Sequence, residues 1–442
     1  MLLWWTMQVQ SKEQQSRLEA YLEQIGKAAG HADRIIPLQS YTKGLLLPIE
    51  RKSIEPMAAR LAPNNVRRMH QSLHHIVSDA AWSDAEVLRS VRRQVLPGML
   101  RQHPLEAWIV DDTGFPKKGT HSVGVARQYC GQLGKQDNCR VAVSVSLATE
   151  QASLPVAYDL YLPESWVQDS EGRKKTGVPE EVVFRTKPQI AIEQIRRLVE
   201  ENVPRGVVLA DAGYGNDSGF RAGLEELHLE YAVGIQSSTS VWPPGVAPLP
   251  PKPNATGRPP TLLRRDEKHQ PLSAKELALC LSDADWHKVS WREGTRGKLS
   301  SRFAALRIRV AHRDTERSRP YPEQWLLLEW PRTEKEPAKY WLSNLPASIS
   351  LRRLVFLAKL RWRIEQDYEE LKQELGLGHF EGRNWRGFHH HGSLCIAAYG
   401  FLVAERCLFF SEHARAGRVY FRLPQMPRRL TPRGSPRSTG AA

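Results

Sequence analysis

Cysteine is scarce in this 442-residue chain, with five in all. Cys130, Cys139, Cys280, Cys395 and Cys407 are odd in number and contain no CxxC pair. A disulfide framework is therefore not expected, and they read as free thiols of a reducing cytosol. Long apolar runs are also missing. The longest, residues 394–403, falls far short of the ~18 residues that crossing a bilayer takes. The apolar start, MLLWWTM, is too short for a signal sequence and has no basic residue ahead of it. No membrane role is expected. Acid is in deficit, with 48 Asp and Glu against 63 Lys and Arg, a formal net charge of +15. That balance points to a polyanionic partner, nucleic acid before anionic membrane, although a basic surface that serves only solubility has the same balance.

What is present is ordinary for a folded protein, 41% hydrophobic and 25% charged residues. The length suits two or three cores and excludes a single small module. Residues 11–100 carry four helical patterns separated by Pro and Asn: LEAYLEQIGKAA, SIEPMAARLA, NNVRRMHQSLHHIVSDAAW and SDAEVLRSVRRQVLPGML. Ser83 and Glu86 are spaced as a capping box for the last. Arg67, Arg68, His70, His74, His75, Arg89, Arg92 and Arg93 gather here, as they would on a domain touching DNA phosphates or on a solvated helix face.

Strand signals follow at 107–112 (AWIVDD), 140–148 (RVAVSVSLA) and 154–162 (LPVAYDLYL), then a helix at 188–202. GVVLADAG, at 206–213, reads as a short strand buried on both sides, 218–227 as a helix and 230–235 as a strand. Three strands, helix, strand, helix, strand is the order of an RNase H-like core, with one acid ending the first strand and another ending the fourth. Residues 242–260 hold eight prolines and read as an extended linker. The stretches 285–294, 300–313 and 323–331 then alternate like strands of a small β subdomain, with Arg302, Arg307, Arg309 and Arg313 loading the middle one and the odd-numbered three sharing a face as a cationic strip. No internal repeat is visible.

Within 354–372, Leu354, Leu357, Leu360, Ile364, Tyr368 and Leu371 recur at steps of three and four, which predicts one amphipathic helix. Arg361, Glu365 and Lys372 stack on nearly one side of it, beside the apolar stripe. A solvated ion-pair face has the same spacing. Two further carboxylates, placed at strand ends, favour chemistry. Asp111 follows the strand AWIV, next to Asp112 and ahead of Lys117 and Lys118, whose charge suits phosphate. Asp211 follows VVLA and precedes Gly213 and Gly215, which permit close backbone approach. Each Asp alone is equally a turn residue. Three converging carboxylates can hold two Mg²⁺ or Mn²⁺ ions, with Arg361 and Lys372 on the phosphate being cut.

At these residues the chain resembles the DDE transposases of bacterial insertion sequences. DDTGFPKKG at 111–119, SVGVARQY at 122–129 and ADAGYG at 210–215 match the family's stretches. Its third motif, Tyr, two residues, Arg, three residues, Glu, six residues, Lys, is met by Arg361, Glu365 and Lys372, while Ala358 stands where the Tyr is expected. The resemblance runs over about 41–423. It implies an α/β protein: an RNase H-like catalytic core, an N-terminal helical domain and a β-rich insertion between the second Asp and the Glu. Asp111, Asp211 and Glu365 take the metal-ligand roles, Asp112 being the alternative to Asp111. Trp291 is an insertion tryptophan placed to meet a base, or a core residue.

The division expected is a DNA-contact domain at 1–103, the first part of the core at 104–240, linker and insertion at 241–347, the Glu-bearing helix and its successor at 348–412, and a disordered, truncated tail at 413–442. Asp111-x-Thr113 also resembles haloacid-dehalogenase phosphatases, but Thr113 occupies the place of their second Asp. His389, His390 and His391 are consecutive and diverge, which predicts surface or DNA-facing side chains instead of a metal cluster. Expected partners are double-stranded DNA, as terminal inverted repeats and target, and a second copy in a synaptic homodimer. The expected place is the cytoplasm, at the nucleoid. The alternative function is a crippled copy that binds DNA ends and represses.

Overall fold

The computed structural model describes residues 12–101, 103–252, 260–294 and 297–415. The apolar start, most of the expected tail and the later part of the proline-rich linker lie outside these residues. Five helices open the chain: α1 (Lys12–Lys27), α2 (Ala32–Leu46), α3 (Ile54–Leu61), α4 (Val66–Ser78) and α5 (Asp84–Leu100). The Ser83 hydroxyl caps α5 by accepting from Glu86 N–H at 3.3 Å. Helix α2 was not expected, because Pro37 lies inside it. A proline there removes one backbone hydrogen bond, and burial of Leu38, Tyr41 and Leu45 offsets the loss.

The core strands are β1 (Ala107–Pro116), β2 (Ala126–Cys130), β3 (Lys135–Ala148), β4 (Ser153–Tyr161), β5 (Val207–Ala210) and β6 (Tyr231–Ile235). Four of them form a connected path β3-β1-β5-β6, with β4 and β2 both paired to β3. β1 runs antiparallel to β3 and parallel to β5, and β5 parallel to β6. This mixed arrangement is consistent with an RNase H-like fold. Strand β2 was not expected, because ARQYC alternates half-buried and exposed positions and has no apolar face of its own. Asp211 consequently follows the fifth strand and not the fourth.

Between β4 and β6 run α6 (Glu164–Gln168), α7 (Ser170–Thr176), α8 (Lys187–Glu200), α9 (Ala212–Gly215) and α10 (Ser218–Glu226). Thr186 and Gln189 close a capping box on α8, and Gln194 from its buried side donates to the Val143 carbonyl of β3 at 2.9 Å.

The insertion comprises β7 (Ser240–Trp242), β8 (Leu272–Ser273), α11 (Ala274–Leu279), β9 (His287–Gly294), β10 (Gly297–Val310), β11 (Gln324–Trp330) and β12 (Lys339–Ser343). β12 pairs antiparallel with β6, so its strands continue the core sheet to a total of twelve. Trp242, expected in the linker, ends β7 fully buried and donates its indole N–H to Asp314 at 2.7 Å. Of the expected cationic strip, Arg307 and Arg309 lie on the same half-buried side of β10 and donate to the Glu323 and Tyr321 carbonyls, whereas Arg313 lies beyond the strand.

The stretch expected as one helix is two, α12 (Leu351–Lys359) and α13 (Trp362–Gln373). At the junction the Leu360 N–H bonds back only three residues, to Leu357, and Arg363 to Leu360. This tightened turn makes Arg361 the residue before α13. The apolar stripe survives the break, with Leu354, Leu357, Leu360, Ile364, Tyr368 and Leu371 all buried. Ile364→Ala, which would empty the centre of that stripe, is worth roughly 2–5 kcal/mol. Lys359 ties α12 to the insertion. It pairs with Glu329 at 2.5 Å and its ammonium sits 4.5 Å from the Trp291 ring.

The last helix, α14 (Trp385–Arg415), is long and apolar enough to cross a membrane by length and composition, but 78% of that window is buried by protein. It packs chiefly on α5 and β4. His389, His390 and His391 sit in it and are buried, which corrects the expectation that they face outward. They do diverge, each to a different element. His389 Nε2 accepts from Leu160 N–H at 3.2 Å, His390 stacks on Trp82 at 3.7 Å, and His391 Nδ1 meets the Tyr41 hydroxyl at 2.9 Å. Burial pushes His390 down to about 3 and His391 to about 4, so both are neutral joints between the N-terminal helices and the rest.

Candidate active site

The register of the central strands brings the first two acids together. Ile109 pairs with Leu209 where β1 runs parallel to β5. Two residues on, at the same offset, are Asp111 and Asp211. β5 ends at Ala210, whereas β1 continues to Pro116 on β3 alone. Asp111 is thus inside its strand and not at the end of it, as the sequence suggested. It nevertheless lies where the pairing with its parallel neighbour has ended.

Asp211 caps the short helix α9, and its Oδ1 accepts from the Gly213 N–H at 2.9 Å. Gly215 lets that turn lie against β6. A Cβ there would come within 1.9 Å of the Gly234 carbonyl oxygen. Asp112 points away from Asp111, as neighbours on a strand do. Its Oδ2 pairs with Lys187 Nζ, at the start of α8, at 2.6 Å. Lys187 was not legible as a site residue, because its partner is 75 positions away.

Glu365 is joined to Asp111 through a cation. Arg361 Nη1 donates to Asp111 Oδ2 at 2.6 Å and Nη2 to Glu365 Oε1 at 2.5 Å. Burial works against the Arg361 charge, but Asp111, Glu365 and Asp211 together hold the guanidinium above its ordinary value. Asp111 is pushed up to about 7, by burial first, with Asp211 and Asp112 adding to it and Arg361 opposing. A carboxyl among like charges is relieved by any cation placed between them.

Lys372 lies further along β1. Its Nζ donates to the Gly114 carbonyl at 2.8 Å and to Gln132 Oε1, on the β2–β3 turn, at 3.3 Å, over the Phe115 ring. Burial lowers it to about 8. Lys117 is turned to the Phe380 carbonyl at 2.9 Å and not to the acids, and is likewise lowered to about 8 by burial. Lys118 is exposed past it. Gln132 escaped the sequence reading because an exposed turn glutamine carries no pattern.

The donor set suits a hard divalent cation: three carboxylates and no sulfur or imidazole. Among the described residues, Asp211 Oδ2 and Glu365 Oε2 accept no hydrogen bond from protein and so offer free oxygens. As placed, no three His, Cys, Asp or Glu among those residues are close enough to share one ion, and Arg361 stands between Asp111 and Glu365.

A family model for the DDE superfamily endonucleases matches residues 20–298, a span that includes Asp111 and Asp211. A probable transposase for insertion sequence element IS701 of Microchaete diplosiphon is 33% identical over 196 residues, 44% of this chain and 47% of the relative. The chain therefore spans about half the length of that curated relative. With the family model covering more than half of its residues, the chain belongs to the DDE superfamily of endonucleases.

Proposed function

We propose that the protein is the transposase of an insertion sequence, cutting and joining DNA at the ends of the element. The observation that carries the reading is the juxtaposition of Asp111 and Asp211 by strand register, with Glu365 held to the same group through Arg361. Asp111, Asp211 and Glu365 would hold the Mg²⁺ or Mn²⁺, as two ions. Bound there, the metal supplies activation of the attacking oxygen, from water or a 3′ hydroxyl, and charge for the leaving one.

The chain's own residues do the rest. Arg361 stands between two of the acids and Lys372 lies further along β1, and a phosphodiester reaching both would be neutralised and oriented for in-line attack. Lys118, and Lys117 once it leaves the Phe380 carbonyl, extend that charge along the β1 end. The N-terminal helices present Arg67 and Arg68 on the exposed face of α4, where they suit sequence-independent phosphate contacts. Double-stranded DNA is the partner, in the cytoplasm, and two copies would be needed to hold two ends.

The test is cleavage of a plasmid that carries the DNA flanking this gene, with Mg²⁺ or Mn²⁺, by wild type, Asp211→Asn and Glu365→Gln. Metal-dependent cutting at the termini by the wild type alone supports the proposal. Cutting retained in either variant overturns the acid assignment. Binding of the termini without any cutting would make the protein an end-binding repressor.

A further inference from the structure

The insertion brings one more cation to the acids. Arg292, exposed on β9, lies with its guanidinium carbon 4.0 Å from the centre of the Trp362 ring, and Arg363 lies 4.5 Å from the same ring. Arg292 is within electrostatic reach of Glu365. Its side chain makes no hydrogen bond or ion pair among the described residues. Glu365 is already paired with Arg361 at 2.5 Å, so charge balance there does not call for a second arginine.

Other arginines of the insertion are engaged: Arg302 with the Trp330 carbonyl and Asp283, Arg307 with the Glu323 carbonyl, Arg309 with the Tyr321 carbonyl and the Glu323 carboxylate. Arg302 and Arg307 also lie over indoles, at 5.2 Å from Trp330 and 5.1 Å from Trp325, but Arg292 is closer to its ring and its guanidinium N–H groups have no partner among the described residues. Stacking fixes the plane of a guanidinium without using its donors, which is the pose that receives a phosphate through two parallel hydrogen bonds. Arg292 and Arg363 also repel each other across Trp362. An anion between them and the solvent would remove that cost.

We propose that Arg292 is a further DNA-positioning residue, taking a backbone phosphate of the strand that lies beside Glu365. This rests on the reading of the site as a DNA-cutting one. The bland alternative is a staple, in which Arg292 only fastens the insertion to α13 through Trp362.

The experiment uses the full chain and a fluorescein-labelled duplex taken from the DNA flanking this gene, with Ca²⁺ in place of Mg²⁺. Anisotropy is followed over a salt series for wild type, Arg292→Gln, Arg292→Lys and Trp362→Phe, with urea midpoints measured alongside. Loss of one phosphate contact is expected to weaken binding about tenfold and to reduce the slope of log affinity against log salt by about one. Arg292→Lys should keep the slope, and the urea midpoint should not move.

A slope unchanged in Arg292→Gln, whatever its stability, overturns the proposal and leaves the staple. Wild type that binds but does not cut with Mg²⁺ defeats the cleavage reading alone, since the slopes still decide Arg292. Wild type that does not bind the duplex defeats both.

Discussion

The Arg361 guanidinium lies 2.6 Å from Oδ2 of Asp111, a residue 250 positions earlier in the chain. The same side chain holds Glu365, so one cation lies between two of the three acids that would ligate metal. Arg361 and a divalent ion compete for the same oxygens. Arg361→Gln is therefore expected to raise Mn²⁺ affinity in the absence of DNA, by about tenfold, or roughly 1.4 kcal/mol. Its DNA cleavage should fall, because the phosphate loses a donor. Titration calorimetry with Mn²⁺ checks the first half. An affinity equal to or below that of wild type would mean that Arg361 supports the ion and does not compete with it.

The adjacent acids Asp111 and Asp112 make a paired test. Asp111 faces Arg361 and the register neighbour Asp211, whereas Asp112 is fastened to Lys187 at 2.6 Å. Asp111→Asn should lower cleavage by on the order of 10³ or more while DNA binding stays near wild type. Asp112→Asn should cost less than about tenfold. Plasmid cleavage rates with saturating Mn²⁺ measure both, and a reversed order would move the ligand role to Asp112.

Legibility followed the range of the interaction. The strands AWIV and VVLA and the stripe from Leu354 to Leu371 announce themselves because burial is written as local apolar periodicity. The three acids were visible for the same reason, each attached to such an element. Three things were not visible. Asp111 is inside β1 because the polar DDTGF continues to pair with β3, and a ladder of backbone hydrogen bonds leaves no trace in side-chain pattern. The break at Leu360 and Arg361 interrupts a helix whose hydrophobic spacing carries straight through. His389, His390 and His391 read as surface because their partners, Leu160, Trp82 and Tyr41, are hundreds of residues distant. A buried histidine is polar in sequence and satisfied only in the fold.

Gly215 tests whether α9 truly rests on β6. A methyl group there would meet the Gly234 carbonyl oxygen at 1.9 Å, and the Gly215 N–H bonds to the Asp211 carbonyl at 2.8 Å, so any shift passes to the acid. Gly215→Ala is expected to cost about 3 kcal/mol of stability. Cleavage should fall further than the lost folded fraction explains. Gly119→Ala, where a Cβ meets nothing within 4 Å, is the control and should stay within about 0.5 kcal/mol. Equal urea midpoints for the two variants would show that α9 and β6 are not in this close contact.

Lys372 gives the site a pH dependence with a definite sign. Burial lowers its pKa to about 8, so the ammonium is charged below that value and becomes neutral as pH rises through it. If it holds a phosphate, wild-type DNA affinity should weaken by about tenfold between pH 8 and 9.5, above the range where Asp111 gains its charge, with the midpoint displaced above 8 because the bound anion favours the proton. Lys117 is lowered to a similar value and would add to the same decline. Comparison of variants separates them. Lys372→Arg, whose guanidinium stays charged throughout, should remove the Lys372 part of the decline, and Lys117→Arg should leave it in place. Fluorescence anisotropy at constant ionic strength is the measurement. A Lys372→Arg profile that still falls as steeply as wild type would show that this ammonium does not touch the DNA.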